Sequence, residues 1–361
     1  MKIGIFTFHC AQNYGAVLQA YGLQEYLLSQ GHDAYIIDYR PDYLIAPYKI
    51  FSFQRNGGKT GLLTLIREIV TIPIRFKRTF LFNKFVNKRL RLYKLDLNKK
   101  DNDFDAFIFG SDQIWNPKLT GGCDDVYFGK IPATTNKLLF SYAASIGDMS
   151  HLTTSDKAYL KEALKRFTAI SVREEGFREF LKNEIGLNSI CVCDPVLLAG
   201  KDVFDGLIAN GPCRLSEKKY LMLFQLEVIN DRIISYAKSI ARMLSLDCVN
   251  VISRRETLDR SIHQCLSPES FLKYIKSAAQ VLTTSYHGTA FSILYRRQFY
   301  TISVNPSVDL RALDLLSAIG LEERLINTDH VDIVQIQYEA IDLCLMEYVR
   351  LSRAFVNDNL K

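Results

Sequence analysis

Residues 2–39 alternate strand, helix and strand, and this opening more than any other feature limits what the chain can fold into. KIGIFTF at Lys2–Phe8 is an apolar run of strand length. From Gly15 to Ser29 the residues Val17, Leu18, Tyr21, Leu23 and Leu27 recur at helical spacing, and Gly31 closes the helix. Ala34–Tyr39 is a second strand. Two strands joined by a helix pair in parallel, so the chain begins an α/β sheet.

The alternation continues. A helical pattern runs from Leu62 to Leu92 with a break expected at Pro73, after a loop from Pro41 to Gly61. Strands follow at Phe104–Phe109, Leu138–Tyr142, Ile170–Val172 and Ile190–Cys193, with helices at Lys157–Phe167 and Glu174–Lys182. A second α/β series starts near Lys219. Its strands are Tyr220–Leu226, Cys248–Ile252, Ala279–Thr284 and Phe299–Val304. Its helices are Asp231–Leu244, one starting at Ser267-Pro268-Glu269, Thr289–Tyr295 and Leu310–Ile319. Val331–Phe355 reads as a final amphipathic helix. With 361 residues the chain has room for two domains, each with its own core, at residues 1–200 and 201–330. Residues 331–361 are expected to pack back on the body.

Composition narrows the class. Apolar residues are 48% and charged residues 23%, with no apolar run long enough to span a bilayer. The first residues carry no secretory leader pattern, and the eight cysteines mostly sit in apolar strand contexts. Both point to a cytoplasmic protein with reduced thiols. The net charge of +6 suits an anionic substrate without demanding one and gives no reason to expect nucleic acid. Basic residues gather between Arg67 and Lys100. They read either as a solvated helix face or as a surface lying near anionic lipid.

Ligands of parallel sheets bind beyond the carboxyl ends of the strands. Five such ends carry polar groups. The first, His9–Gly15, holds Asn13, Tyr14 and Gly15, either an anion-facing turn or an ordinary helix cap. The second, Gly110–Pro117, surrounds Trp115 with Asp112, Gln113 and Asn116, either a sugar platform or a capped loop. The third is the small-residue segment Ser141–Gly147. The fourth ends in Arg173, which offers a fork of donors to an anion or pairs with Glu174 or Glu175. The fifth, Thr283–Thr289, places Ser285, Tyr286, His287, Gly288 and Thr289 between a strand and a helix, where either His287 and the Gly288 and Thr289 N–H groups suit an anion or His287 is a buried structural histidine. No Cys/His spacing fits a metal, and no GxGxxG, GxxxxGK[ST] or GxSxG is present.

Read in order, these segments resemble the polysaccharide pyruvyl transferase family. The resemblance is carried by Asn13-Tyr14-Gly15, Gly110–Asn116, Tyr142–Gly147, Ile170–Glu174, Cys193–Leu198, Ser285–Thr289 and Arg311–Leu321. Thr284 stands where the family often has an acid. The resemblance implies an α/β fold of two Rossmann-like domains facing across a cleft, GT-B-like, with the acceptor on the first domain and the donor on the second. It implies transfer of pyruvyl from phosphoenolpyruvate to sugar hydroxyls of a cell-surface polysaccharide or its precursor, free or lipid-linked, with no cofactor and no metal.

On that reading His287, Arg173 and Asp112 are the candidate catalytic residues. Ser285, Tyr286, Gly288, Thr289 and Arg311 line the donor, and Asn13, Tyr14, Gly15, Gln113, Trp115 and Asn116 line the acceptor. The rivals are a nucleotide-sugar glycosyltransferase on the same fold and a non-catalytic sugar-binding protein of a polysaccharide pathway. The expected location is the cytoplasm, at the inner face of the cell membrane where the acceptor is lipid-linked.

Overall fold

A computed structural model of the chain describes residues 1–49, 62–208, 218–226, 229–253, 256–259, 261–304, 306–329 and 332–360. Most of the predicted Pro41–Gly61 loop, together with Cys213 and His330, lies outside the described residues. The other seven cysteines are unpaired thiols.

The first half contains β1 (Lys2–Phe6), α1 (Tyr14–Ser29), β2 (Asp33–Ile37), α2 (Asp42–Ile45), α3 (Leu62–Arg89), β3 (Leu92–Tyr93) and β4 (Ala106–Phe109). It continues through α4 (Pro117–Thr120), β5 (Leu138–Ser141), α5 (Thr154–Leu164), β6 (Ser171–Val172), α6 (Glu175–Phe180), β7 (Ile190–Cys191) and α7 (Pro195–Ala199). After α8 (Lys201–Ile208) come β8 (Tyr220–Gln225), α9 (Asp231–Met243), β9 (Asp247–Ile252), β10 (Ile262–His263), α10 (Pro268–Ser277) and β11 (Gln280–Thr283). The chain ends with α11 (Tyr286–Leu294), β12 (Gln298–Ile302), α12 (Pro306–Ser317), β13 (Leu325–Ile326) and α13 (Tyr338–Asn359).

The first sheet has the order β3-β2-β1-β4-β5 and the second β10-β9-β8-β11-β12-β13, all pairs parallel. Single bridges from Phe140 to Ala169 and from Ala144 to Val172 extend the first sheet to the β6-β7 pair. Each half therefore repeats the doubly wound Rossmann order, with a reversal of strand order between β1 and β4 and again between β8 and β11. The central strands β4, β8 and β11 are buried throughout, as strands covered on both faces must be. The fold is α/β and GT-B-like.

The expectation of separate cores needs correcting. One apolar cluster packs β1 and part of the first sheet around Phe109 and Trp115, and another packs α9 on the second sheet. The largest is shared: it runs from Tyr14, Leu23 and Phe85 of the first half through Val196 and Leu198 to Phe224, Phe271 and Phe291 of the second. Tyr14 stacks on Phe271 with ring centroids 4.5 Å apart. The last helix also ties the halves together. Its start packs on the second half, where the Tyr338 hydroxyl donates to the Arg297 carbonyl, and its end meets the first, where Ser352 Oγ accepts the Cys193 N–H at 2.8 Å.

Several helices differ from the sequence reading, α5 and α12 among them, which start at Thr154 and Pro306 instead of Lys157 and Leu310. α3 runs through Pro73, which lies on its exposed side, so solvent satisfies the carbonyl that proline leaves free. α11 begins at Tyr286, which puts His287 and Gly288 inside its first turn instead of ahead of it. α13 begins at Tyr338, and the described residues 332–337 before it form no helix or strand.

Candidate functional site

The carboxyl ends of β1, β4, β5 and β6 meet the β11–α11 turn from the other half, so the order reversals of both sheets open on one place. Asp194 sits at its centre, fully buried. It caps α7, with Oδ1 accepting the Val196 N–H at 3.0 Å. Pro195 follows in the first turn, where its missing N–H costs nothing. Capping with Oδ1 leaves Oδ2 turned inward. Arg173 Nη1 lies 3.1 Å from Oδ2, Ser111 Oγ 3.4 Å and His287 Nε2 3.6 Å. Burial pushes this carboxyl up, but the charges of His287 and Arg173 outweigh burial and hold it at about 2.

Arg173 is enclosed by acids. Its Nε donates to Glu174 Oε1 at 3.2 Å, its Nη2 lies 3.6 Å from Asp112 Oδ1, and its guanidinium covers the Tyr286 ring at 4.3 Å. Burial works against its charge, while Glu174, Tyr286, Asp112 and Asp194 overcome that and drive its pKa upward. The pairing reading of Arg173 thus holds, although not at its expense as a donor. Arg173 Nη2 and His287 Nε2 are both buried and neither makes a hydrogen bond. Each lies instead 3.6 Å from a carboxylate oxygen, Nη2 from Asp112 Oδ1 and Nε2 from Asp194 Oδ2, close enough to pair by charge and too far for a hydrogen bond. Arg311 comes in from α12, buried, with its pKa lowered first by burial and then by the charge of Arg173. Asp112 adopts a left-handed φ of 74°, a conformation that costs a non-glycine residue about 1–3 kcal/mol and is found at functional sites.

The opening turn reaches the same place through Gly15. A Cβ on Gly15 would lie 2.1 Å from His287 Nδ1 and 2.3 Å from its Cγ. The backbone of α1 therefore rests flat on the imidazole, and only glycine permits it. Gly288 is constrained in the same way, since a Cβ there would meet Thr283 Oγ1 at 2.2 Å.

Several acceptor and donor assignments need correction. Trp115 is 1% exposed; its Nε1 donates to the Tyr127 carbonyl and its ring stacks on Phe128, so it has no free face for a sugar. Tyr14 is equally buried, with its hydroxyl donating to the Leu266 carbonyl. Asn116 spends its amide in its own loop, accepting from Lys118 N–H and donating to Gln113 Oε1. Asn13 is the ordinary cap of α1, accepting the Gly15 N–H at 2.9 Å. The Thr289 N–H bonds the Ser285 carbonyl and its hydroxyl meets Thr301, so Thr289 offers nothing to a ligand. Ser285 is buried, and its N–H goes to Thr283 Oγ1. The donors left to α11 are those of its first turn, Tyr286 to Gly288, which have no carbonyl within the helix to bond.

Asp194, Ser111, Glu174 and Asp314 were not among the predicted site residues. Asp194-Pro195 reads in sequence as a strand stop, yet an acid at a strand's carboxyl end was the available signal. Asp314, one turn beyond Arg311 on α12, accepts the Glu175 N–H at 3.2 Å and so joins the halves beside the site. Burial and then the neighbouring Glu174 charge push its carboxyl up from 3.8 to about 6. The folded state thus binds this proton more tightly than the unfolded chain. Asp314 favours folding most below 3.8, and that contribution is lost as pH rises through about 6. Asp314→Asn, which keeps an oxygen for the Glu175 N–H, is expected to raise the melting temperature at pH 7.5 and leave it unchanged near pH 4. A lower melting temperature at pH 7.5 would contradict this account.

Among the described residues, no group of three or more His, Cys, Asp or Glu side chains is placed to hold a metal ion, and no helix is long and apolar enough to cross a membrane. Similar solved structures include the UDP-GlcNAc 2-epimerase from Neisseria meningitidis bound to UDP-GlcNAc, at 10% identity over 99% of this chain and 94% of that one, TM-score 0.46. UDP-N-acetylglucosamine 2-epimerase from Rickettsia bellii has 10% identity over 99% and 97%, TM-score 0.44. Sucrose-phosphate synthase from Thermosynechococcus elongatus has 10% identity over 99% and 100%, TM-score 0.41. No curated protein sequence matches the chain. The family model for polysaccharide pyruvyl transferase matches residues 13–306, a span that takes in the Gly15 turn, Arg173, Asp194 and His287, and the chain belongs to that family.

Proposed function

We propose that the protein transfers the pyruvyl unit of phosphoenolpyruvate to two hydroxyls of one sugar in a cell-surface polysaccharide or its precursor, releasing phosphate. The observation that carries this reading is the convergence of Arg173, His287 and Arg311, all buried, at one place, with Arg173 Nη2 3.6 Å from Asp112, His287 Nε2 3.6 Å from Asp194, and neither nitrogen hydrogen-bonded. Phosphoenolpyruvate has a carboxylate and a phosphate, and needs fixed donors at both ends with water kept out. Arg311 adds a third buried cationic group there, with burial and the Arg173 charge working against its own charge and Glu174 and Asp112 favouring it.

The chemistry follows in two steps. One sugar hydroxyl adds to the carbon bearing phosphate while the methylene carbon gains a proton and becomes methyl. The bond from that carbon to the phosphate oxygen then breaks, phosphate leaves with the electron pair, and the second hydroxyl closes the ketal. Its proton goes to a base or to the departing phosphate. Protonated His287 delivers the proton to the methylene carbon or stabilises the phosphate. Asp194 is its positioning residue by charge, with Oδ2 3.6 Å from Nε2 and no hydrogen bond between them. Asp112 takes the proton from an acceptor hydroxyl. With Trp115 and Tyr14 buried, the acceptor side reduces to Asp112 and Gln113 near the opening turn.

Phosphate release from phosphoenolpyruvate, measured against a panel of sugar acceptors, tests the reading. Thermal shifts with phosphoenolpyruvate and with UDP- and GDP-sugars separate it from its rivals. Stabilisation by a nucleotide sugar and none by phosphoenolpyruvate would favour the glycosyltransferase; sugar binding without turnover would favour a non-catalytic protein. Gly15→Ala supplies a geometric check. Its methyl must displace the His287 ring, and a misplacement of about 1 Å costs about 100-fold in rate. A fall of that size in turnover is expected in a folded variant, and unchanged turnover would separate His287 from the chemistry.

A further inference from the structure

Helix α3 has two unlike faces. Its inner face is anchored: Phe82, Phe85 and Val86 enter the shared core, and Arg78 Nη1 lies 3.1 Å from Glu256. Thr79 Oγ1 accepts from Gln12 Nε2 at 2.9 Å, so the helix touches the opening turn that holds Gly15 against His287. The outer face is apolar and exposed. Phe76 is 62% exposed, Ile69 57% and Phe80 56%, with Val70 beside them. Ile69, Phe76 and Phe80, seven and four residues apart, share one face of the helix, with Val70 on its flank. Lys77, Lys84 and Lys88, all exposed, run along the side of this face. In the sequence of α3, Glu68 is the sole acid, against a series of Arg and Lys.

Large exposed aromatic and aliphatic side chains in a line are seldom left to water without a partner. The positive charge decides which partner. A second copy paired through the same face would set Lys77, Lys84 and Lys88 against their own copies, with Glu68 the sole acid that α3 itself brings. An anionic bilayer meets both features: apolar side chains enter the headgroup–acyl boundary while lysines remain among the phosphates.

We propose that the outer face of α3, through Ile69, Val70, Phe76 and Phe80 with Lys77 and Lys84, seats on an anionic lipid surface. The contact lies one helix, about 10 Å, from the opening turn, so the site takes its acceptor at the membrane. The docking does not depend on the proposed reaction. The choice of a lipid-linked acceptor does rest on it.

The test is co-sedimentation of the full chain with vesicles of phosphatidylcholine alone or mixed with phosphatidylglycerol. Binding is expected to the mixed vesicles and to be at least about tenfold weaker to the neutral ones. F76S/F80S and K77E/K84E are each expected to weaken binding to the mixed vesicles by about tenfold or more, with circular dichroism and turnover on a water-soluble acceptor unchanged. Absence of wild-type binding to mixed vesicles, or full binding by both variants, overturns the proposal. So does a dimer in sedimentation velocity that F76S/F80S dissolves while vesicle binding persists. Vesicle binding with no turnover on any acceptor would instead overturn the proposed reaction and leave the docking intact.

Discussion

His287→Ala is expected to slow phosphate release from phosphoenolpyruvate by about 100- to 10,000-fold, the range associated with losing a positioned acid or base. Among the described residues the side chain meets Asp194, the α1 backbone at Gly15 and the Tyr286 ring, none of which holds the helix or either sheet together. The melting temperature is therefore expected to move far less than the rate. His287→Gln separates the two roles considered. It keeps a donor for phosphate but carries no proton to give, so it should restore stabilisation by phosphoenolpyruvate without restoring turnover if His287 is the acid. Turnover close to wild type in a folded His287→Ala would remove this residue from the mechanism.

Arg173→Ala is expected to have the largest effect on stability. The substitution strands Asp112, Glu174 and Asp194 around an empty space, and breaking a buried pair by removing one partner costs about 3–5 kcal/mol. Urea unfolding at pH 7 measures it, and a loss below about 1 kcal/mol would contradict the assigned pairing. The pH dependence has a definite sign. In the wild type the Asp194 carboxyl is depressed to about 2, so it stabilises the fold above 3.8 and that contribution is lost as pH falls through about 2. Without Arg173 the carboxyls lose a neighbour that favours their charged form. The deficit of the variant should then shrink as the buffer is taken from pH 7 toward pH 4.

The alternation of apolar runs and 3.6-period segments revealed the α/β class because a strand buried on both faces and an amphipathic helix have different periods. That is a local signal. Periodicity shows that a face of α1 or α10 is apolar and does not show what covers it, so the core shared by the two halves was invisible. The same limit governs the site. Arg173 and His287 were legible as unusual groups at strand ends, and the structure joins them. Asp194 passed as a strand stop before Pro195, since only the three-dimensional arrangement shows that it caps α7 with one oxygen and turns the other to Arg173 and His287. Trp115 misled for the opposite reason. An indole among Asp, Gln and Asn is as consistent with a ring packed on Phe128 as with one offered to a sugar, and composition does not distinguish them.

The apolar cluster that joins the halves bears on how this protein can be taken apart. A cut at Gly200 would leave Tyr14 and Phe85 facing water on one fragment and Phe271 and Phe291 on the other, while α13, encoded after both sheets, would go with the second fragment and be missing from the first. Neither piece is a module that recombination can transplant. Changing the specificity of one half by grafting it from a relative means grafting the seam and the terminal helix as well.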